Sequence, residues 1–204
     1  MEYFDIKHRK ESHSKKILML ILVVIISCPN IFSQNNKLYT VLGTFNSINS
    51  NTVEVMGCGT ERNLDYVYFT SPWLCKREIK IPYTHLNEAK NSINLVSVKF
   101  KEWNNLIQGK GFKGKRKKFP TEHTVYTRQS YLYDWHPNAE KLYYVFFVDL
   151  SGRAVVEVKM TLGGSNTFCF YLTPEGLEQY SSIINNAVSI YLKSDDVEFD
   201  ELLK

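Results

Sequence analysis

Metal-ligating and nucleophilic side chains are scarce in this chain. It has five histidines and four cysteines in 204 residues. None stands at the i, i+4 or paired-cysteine spacing that builds a zinc site, so no metal is expected. There is no G-x-S-x-G elbow for a serine nucleophile. Around Cys58, "GCGT" lacks the local signatures of cysteine hydrolases, and no two carboxylates single themselves out as acid and base. No cofactor motif survives inspection either. Long apolar runs are missing as well: "ILMLILVVII" is about ten residues, against the roughly 20 that span a bilayer as a helix. Nor does one sign of charge dominate, with 25 Lys and Arg against 21 Asp and Glu. A whole-protein nucleic-acid footprint is therefore absent, and no nucleic acid is expected as a partner.

What is present begins with an address. Lys7, Arg9, Lys10, Lys15 and Lys16 precede the apolar run, the layout of a secretory signal over residues 1–33, cut after Ser33 to leave Gln34. The "FSQ" ending resembles signal peptides of exported proteins from Bacteroidetes-type bacteria. A competing reading is lipidation, because Ile25-Ile26-Ser27-Cys28 resembles a lipobox in which Cys28 is acylated. The expected location is the periplasm or outside the cell, with a lipid-anchored envelope protein as the alternative. Residues 1–33 hold five of the basic and three of the acidic residues, leaving 20 against 18. Export permits disulfides, and Cys58 and Cys75 could close a loop, although spacing cannot show whether they meet. Cys169, between Phe168 and Phe170, reads as a small buried thiol.

Residues 34–204 suffice for a single domain with a proper core. Short segments rich in β-branched and aromatic residues predict strands at 37–45, 51–57, 65–70 and 77–82, then at 121–135, 141–150, 153–161 and 167–172. Ser151-Gly152 predicts a two-residue hairpin turn, and Gly163 to Asn166 a looser one. In "RAVVEVKMT" the alternation predicts one buried face and one wet face carrying Arg153, Glu157 and Lys159. Leu86, Ala89, Ile93, Val96, Phe100, Trp103 and Ile107 recur at helical spacing, which predicts a helix from Thr84, its cap, to Gln108, with Gly109 just beyond. A second helix starts after the cap Thr173 with Pro174 and Glu175 in its first turn.

The halves 37–108 and 121–193 share one grammar, a meander followed by a helix. A single offset aligns Leu86 with Leu177, Ile93 with Ile184 and Asn94 with Asn185. The expected fold is α+β: an antiparallel β-meander covered by two long helices, in two meander-plus-helix units joined by a basic loop at 109–120. A long helix ending "KFKEWNNLI", a basic link, "FPTE", a meander and "YLTPEGLEQY" together resemble small exported proteins of Bacteroidetes-type bacteria. The resemblance covers roughly residues 78–193 and implies no catalytic site.

Six positive charges crowd "GKGFKGKRKKFP": Lys110, Lys113, Lys115, Arg116, Lys117 and Lys118. Gly109, Gly114 and Lys115 match part of a phosphate-binding loop, but a helix leads in where a strand should, and Arg116 replaces the magnesium-binding hydroxyl. A solvated loop or an anion site remains, the latter facing an anionic glycan or lipid surface. The aromatic runs around Tyr131, Tyr133, Trp135, Tyr143, Tyr144, Phe146 and Phe147 read as packing beneath a helix, or as an open face for a sugar or peptide. The functional expectation is a non-enzymatic binding or interaction module, with another envelope protein also among its possible partners. The alternative is a small hydrolase with a site near His123, Asp134 and His136. A pocket where those three converge would favour the enzyme, and a flat aromatic face the module.

Overall fold

The computed structural model describes residues 37–48, 52–70, 77–129 and 135–202. The leader, Cys28 and Cys75, and Tyr131, Tyr133 and Asp134, lie outside the described residues. Among the described residues eight strands form one antiparallel sheet in chain order: β1 (Leu38–Asn46), β2 (Thr52–Thr60), β3 (Asn63–Thr70), β4 (Arg77–Pro82), β5 (Arg116–Gln129), β6 (Glu140–Val148), β7 (Ala154–Leu162) and β8 (Ser165–Leu172). Helix α1 (Tyr83–Ile107) connects β4 to β5, and α2 (Pro174–Leu202) follows β8. This is the expected α+β meander with two long helices. Residues Lys37–Lys204 form a compact unit by themselves, which holds the core formed by the described residues.

The apolar stripes decide where the helices lie. Alternate residues of the strands, such as Val67 and Phe69 on β3 or Val156 and Val158 on β7, are buried on the helix side. Helix α1 packs mainly over β5, and α2 over β1. Phe45, Phe69, Phe170 and Tyr180 tie β1, β3, β8 and α2 together, with ring centroids 5.1–5.9 Å apart across most of the cluster. Each fully buried side chain of this size contributes about 1.5–3 kcal/mol.

The two halves are related by a pseudo-two-fold axis. The buried side chains of α1 are Leu86, Ala89, Ser92, Ile93, Val96 and Phe100. Their counterparts 91 positions on, Leu177, Tyr180, Ile183, Ile184, Ala187 and Tyr191, are likewise buried on α2. Asn94 and Asn185, also 91 apart, donate to each other: Nδ2 of Asn94 to Oδ1 of Asn185 at 3.2 Å, and the reverse at 2.7 Å. Equivalent residues contact each other reciprocally only on a two-fold axis. Glu88 of α1 accepts from the Thr124 amide of β5 at 3.2 Å, and its counterpart Gln179 accepts from the Asn46 amide of β1 at 3.0 Å. Both β1 and β5 carry a bulge, at Val41/Gly43 and Lys118/Glu122. Beside one, the Thr121 hydroxyl donates to Ser92 at 2.8 Å. Beside the other, Ile183 takes the place of Ser92, and a Cβ on Gly43 would sit 2.9 Å from it, so glycine makes room for the larger partner.

The sheet has two seams. Arg77–Lys80 of β4 pair with Tyr126–Gln129 of β5. At the other seam, among the described residues, a bridge from Ser47 to Leu172, with the Ile48 amide donating to the Tyr171 carbonyl at 3.3 Å, brings β1 against β8. The sheet therefore curls round the two helices.

Four local expectations are corrected. The basic stretch 109–120 is not loop throughout: Arg116 to Pro120 open β5, because Phe119 must reach the core, where it stacks on Trp103 at 4.8 Å. Helix α1 starts at Tyr83 with Pro82 as its unbonded cap residue, so Thr84 lies inside the first turn. The two turns exchange roles: Gly163-Gly164, both with positive φ, make the tight two-residue hairpin, while 149–153 form a longer loop. Asp149 organises that loop, accepting from the Ser151 amide and the Arg153 amide, each at 2.9 Å. The Ser151 hydroxyl, and after it these two amides, hold its carboxyl below the usual range. Finally, β7 does not have a wet face along its length, since Val155 and Glu157 are buried as well.

Candidate binding face

On the side of the sheet away from the helices, strand register brings together residues far apart in sequence. Tyr39 pairs with Cys58 and Cys58 with Tyr66, while two residues further along β3 Tyr68 pairs with Lys80 and Lys80 with Tyr126, so two neighbouring rows together cross β1 to β5. Tyr39 meets Tyr68 edge-on at 6.3 Å, Tyr66 lies 6.0 Å from Tyr68, and Trp135 packs 5.8 Å from Tyr66. Cations thread these rings. The Lys80 ammonium stands 4.5 Å from the Trp135 centroid and 5.4 Å from those of Tyr66 and Tyr126, while the Arg128 guanidinium lies 4.6 Å over Trp135. Glu78 pairs with Arg128, and Lys37 with Asp65 at 3.8 Å.

Burial, reinforced by the positive charges of Lys37 and Arg128, pushes the Lys80 ammonium below its usual pKa. Burial also raises the phenols of Tyr66, next to Cys58 and Tyr39, and of Tyr68, near Glu78. Lys80 is thus a partly desolvated cation held by rings and repelled by like charge, so an incoming anion would stabilise its charged form. The face carries Lys37, Lys80 and Arg128 against Glu54, Asp65 and Glu78, so its formal charges balance, and Lys80 and Arg128 are the cations set among the rings.

The other expected site residues are dispersed. Arg116 chelates the buried Glu157 with Nε at 3.1 Å and lies 4.1 Å over Phe147, and the Tyr171 hydroxyl donates to the same carboxylate at 3.3 Å. Lys117 points the other way, 4.3 Å over Trp103, whereas Lys118 covers Tyr143 at 4.5 Å and pairs with Glu122 at 3.3 Å. Strand alternation has split the basic cluster between two faces, which leaves Lys110, Lys113 and Lys115 in the exposed turn. Of the aromatic runs, Tyr144 and Phe146 are core, as the packing reading holds, while Trp135 belongs to the open face.

The three candidate catalytic residues are not brought together. His123 is sealed beneath α1, and neither ring nitrogen has a hydrogen-bond partner. Burial drives its pKa down to about 4, against the opposing charge of Glu88. His136 is exposed, its amide bonded to the Thr127 carbonyl at 2.7 Å, and Asp134 lies outside the described residues. Cavities of about 260, 500 and 460 Å³ are lined by no histidine or cysteine. Cys58 is a buried free thiol, so the Cys58–Cys75 bridge gains no support. Cys169 is buried as expected, and burial raises its pKa to about 12. Among the described residues no group of His, Cys, Asp or Glu could hold a metal ion, and no helix is long and apolar enough to cross a membrane.

No family model, curated protein or solved structure matches this chain. The face therefore stands on its own geometry. Sequence reading missed most of it: Tyr66 and Tyr68 alternate with the core residues Val67 and Phe69, and Lys80 with Ile79 and Ile81, which marks them as outward-facing. Only the register of five strands assembles them into a patch.

Proposed function

We propose that this protein is an exported, non-enzymatic binding module of the cell envelope that recognises an acidic glycan through the outer face of β1 to β5. The observation that carries the reading is the continuous line of ring contacts from Tyr39 through Tyr68 and Tyr66 to Trp135, with Lys80 and Arg128 set among the rings. Aromatic rings accept the apolar face of a pyranose, and their polar tips and the two cations meet hydroxyls and carboxylates. The basic leader and its apolar run support export. The hydrolase reading has no such support, since His123 is buried away from solvent and His136 is at the surface.

The test is affinity electrophoresis of the chain from Gln34 through gels containing polygalacturonate, alginate or neutral dextran. The acidic polymers should retard it and dextran should not, and Trp135→Ala should abolish most of the retardation. Equal mobility in all three gels would end the glycan reading.

A further inference from the structure

A second surface is built differently, where α1 ends. Leu106, Phe112 and Leu150 are 57%, 43% and 79% exposed there, although each is a large apolar side chain. They belong to one end of the molecule: the Val148 amide donates to Lys115 at 2.9 Å, and a Cβ on Gly152 would lie 4.0 Å from the Phe112 carbonyl. A cavity of about 260 Å³ opens beside them, walled by Trp103, Ile107, Phe146 and Val148, with Lys115, Arg116 and Lys117 at its mouth. From Trp103 to Thr121 the chain contains no acidic residue. Arg116 and Lys118 are neutralised by Glu157 and Glu122, whereas Lys110, Lys113, Lys115 and Lys117 have no carboxylate partner among the described residues. Exposed apolar tips ringed by unneutralised lysines are complementary to one kind of surface, a bilayer with anionic headgroups over an apolar interior.

The geometry points to peripheral docking of this end on an anionic phospholipid bilayer. Leu106, Phe112 and Leu150 enter the headgroup boundary, the lysines lie against the phosphates, and the cavity receives the end of one acyl chain. The surface shares no residue with the aromatic face of β1 to β5, so either reading can fail without the other.

All core residues among the described ones lie within residues 37–204, which form a compact unit, so the chain from Gln34 serves for co-sedimentation with vesicles of phosphatidylcholine, with or without phosphatidylglycerol. Binding to the anionic vesicles alone is expected. Lys110, Lys113 and Lys115 changed together to Ser should weaken it roughly ten- to a hundredfold, given the contribution of each lysine near such a surface. Phe112→Ser with Leu150→Ser should weaken it at unchanged charge, and Trp135→Ala should leave it intact. Circular dichroism confirms folding of each variant, and the exposed serine pair provides a second route if the triple variant fails to fold. Equal binding to neutral vesicles, no binding, or loss caused by Trp135→Ala alone would overturn the assignment.

Discussion

His123 shows how a single side chain can make stability depend on pH. Its imidazole is buried without a hydrogen-bond partner, facing Glu88, Lys141 and His85, and its pKa falls from 6.5 to about 4. The folded state therefore keeps it neutral while the unfolded chain protonates it. Its contribution is fully present above pH 6.5 and is lost as pH falls towards 4. The loss reaches about 3 kcal/mol. Glu88, held below its usual range by the Thr124 amide and Lys141 in spite of burial, acts in the same direction. Urea unfolding of His123→Leu should show a flatter dependence between pH 4 and 6.5 than the parent. An unchanged slope would mean that the imidazole titrates normally. On the binding face, Lys80→Ala should weaken an acidic glycan about tenfold, the scale of a desolvated cation–π and ionic contact, as read by calorimetric titration. It should leave thermal stability nearly unchanged.

At the scale of elements, β5 is the strand whose start matters. Lys113 lies in open turn, but Phe119, four residues beyond Lys115, is buried against Trp103. Phe119→Ala should cost about 3–5 kcal/mol, and Lys113→Ser less than about 0.5 kcal/mol, both measured by chemical denaturation. Comparable costs would show that the basic stretch is loop throughout. The entry of α2 is similarly tight. A Cβ at Gly176 would lie 2.3 Å from the Asn46 carbonyl, because the first turn of α2 crosses the end of β1. Gly176→Ala should therefore destabilise the protein by about 1–3 kcal/mol through overpacking, although alanine favours helix.

At the scale of the whole molecule, the pseudo-dyad makes two halves that cannot be separated. Helix α1, from the first half, covers β5 of the second, and α2 covers β1 of the first. Each half thus shields a strand of the other, and the Asn94–Asn185 pair joins the helices. Thermal unfolding followed by far- and near-ultraviolet circular dichroism should give coincident transitions, and a fragment ending at Gln108 should not fold. Two resolved transitions would contradict a shared core.

The strands, the helices and their repeat were legible in the sequence because they rest on local periodicity. Val67 and Phe69 alternate, Leu86, Ala89 and Ile93 recur at helical spacing, and Asn94 and Asn185 keep one offset whatever lies between them. The alternation and the helical spacing are properties of neighbouring residues that short-range burial enforces, and the offset appears once those local patterns are laid one half on the other. Tertiary structure alone decided which residues meet across the chain. Register between strands set Tyr39, Tyr66, Tyr68 and Lys80 on one face, where Trp135 packs on Tyr66, the demand of Phe119 for the core drew the basic stretch into β5, and closure under α1 buried His123. Such contacts depend on long-range pairing free energies, which no local window of sequence contains.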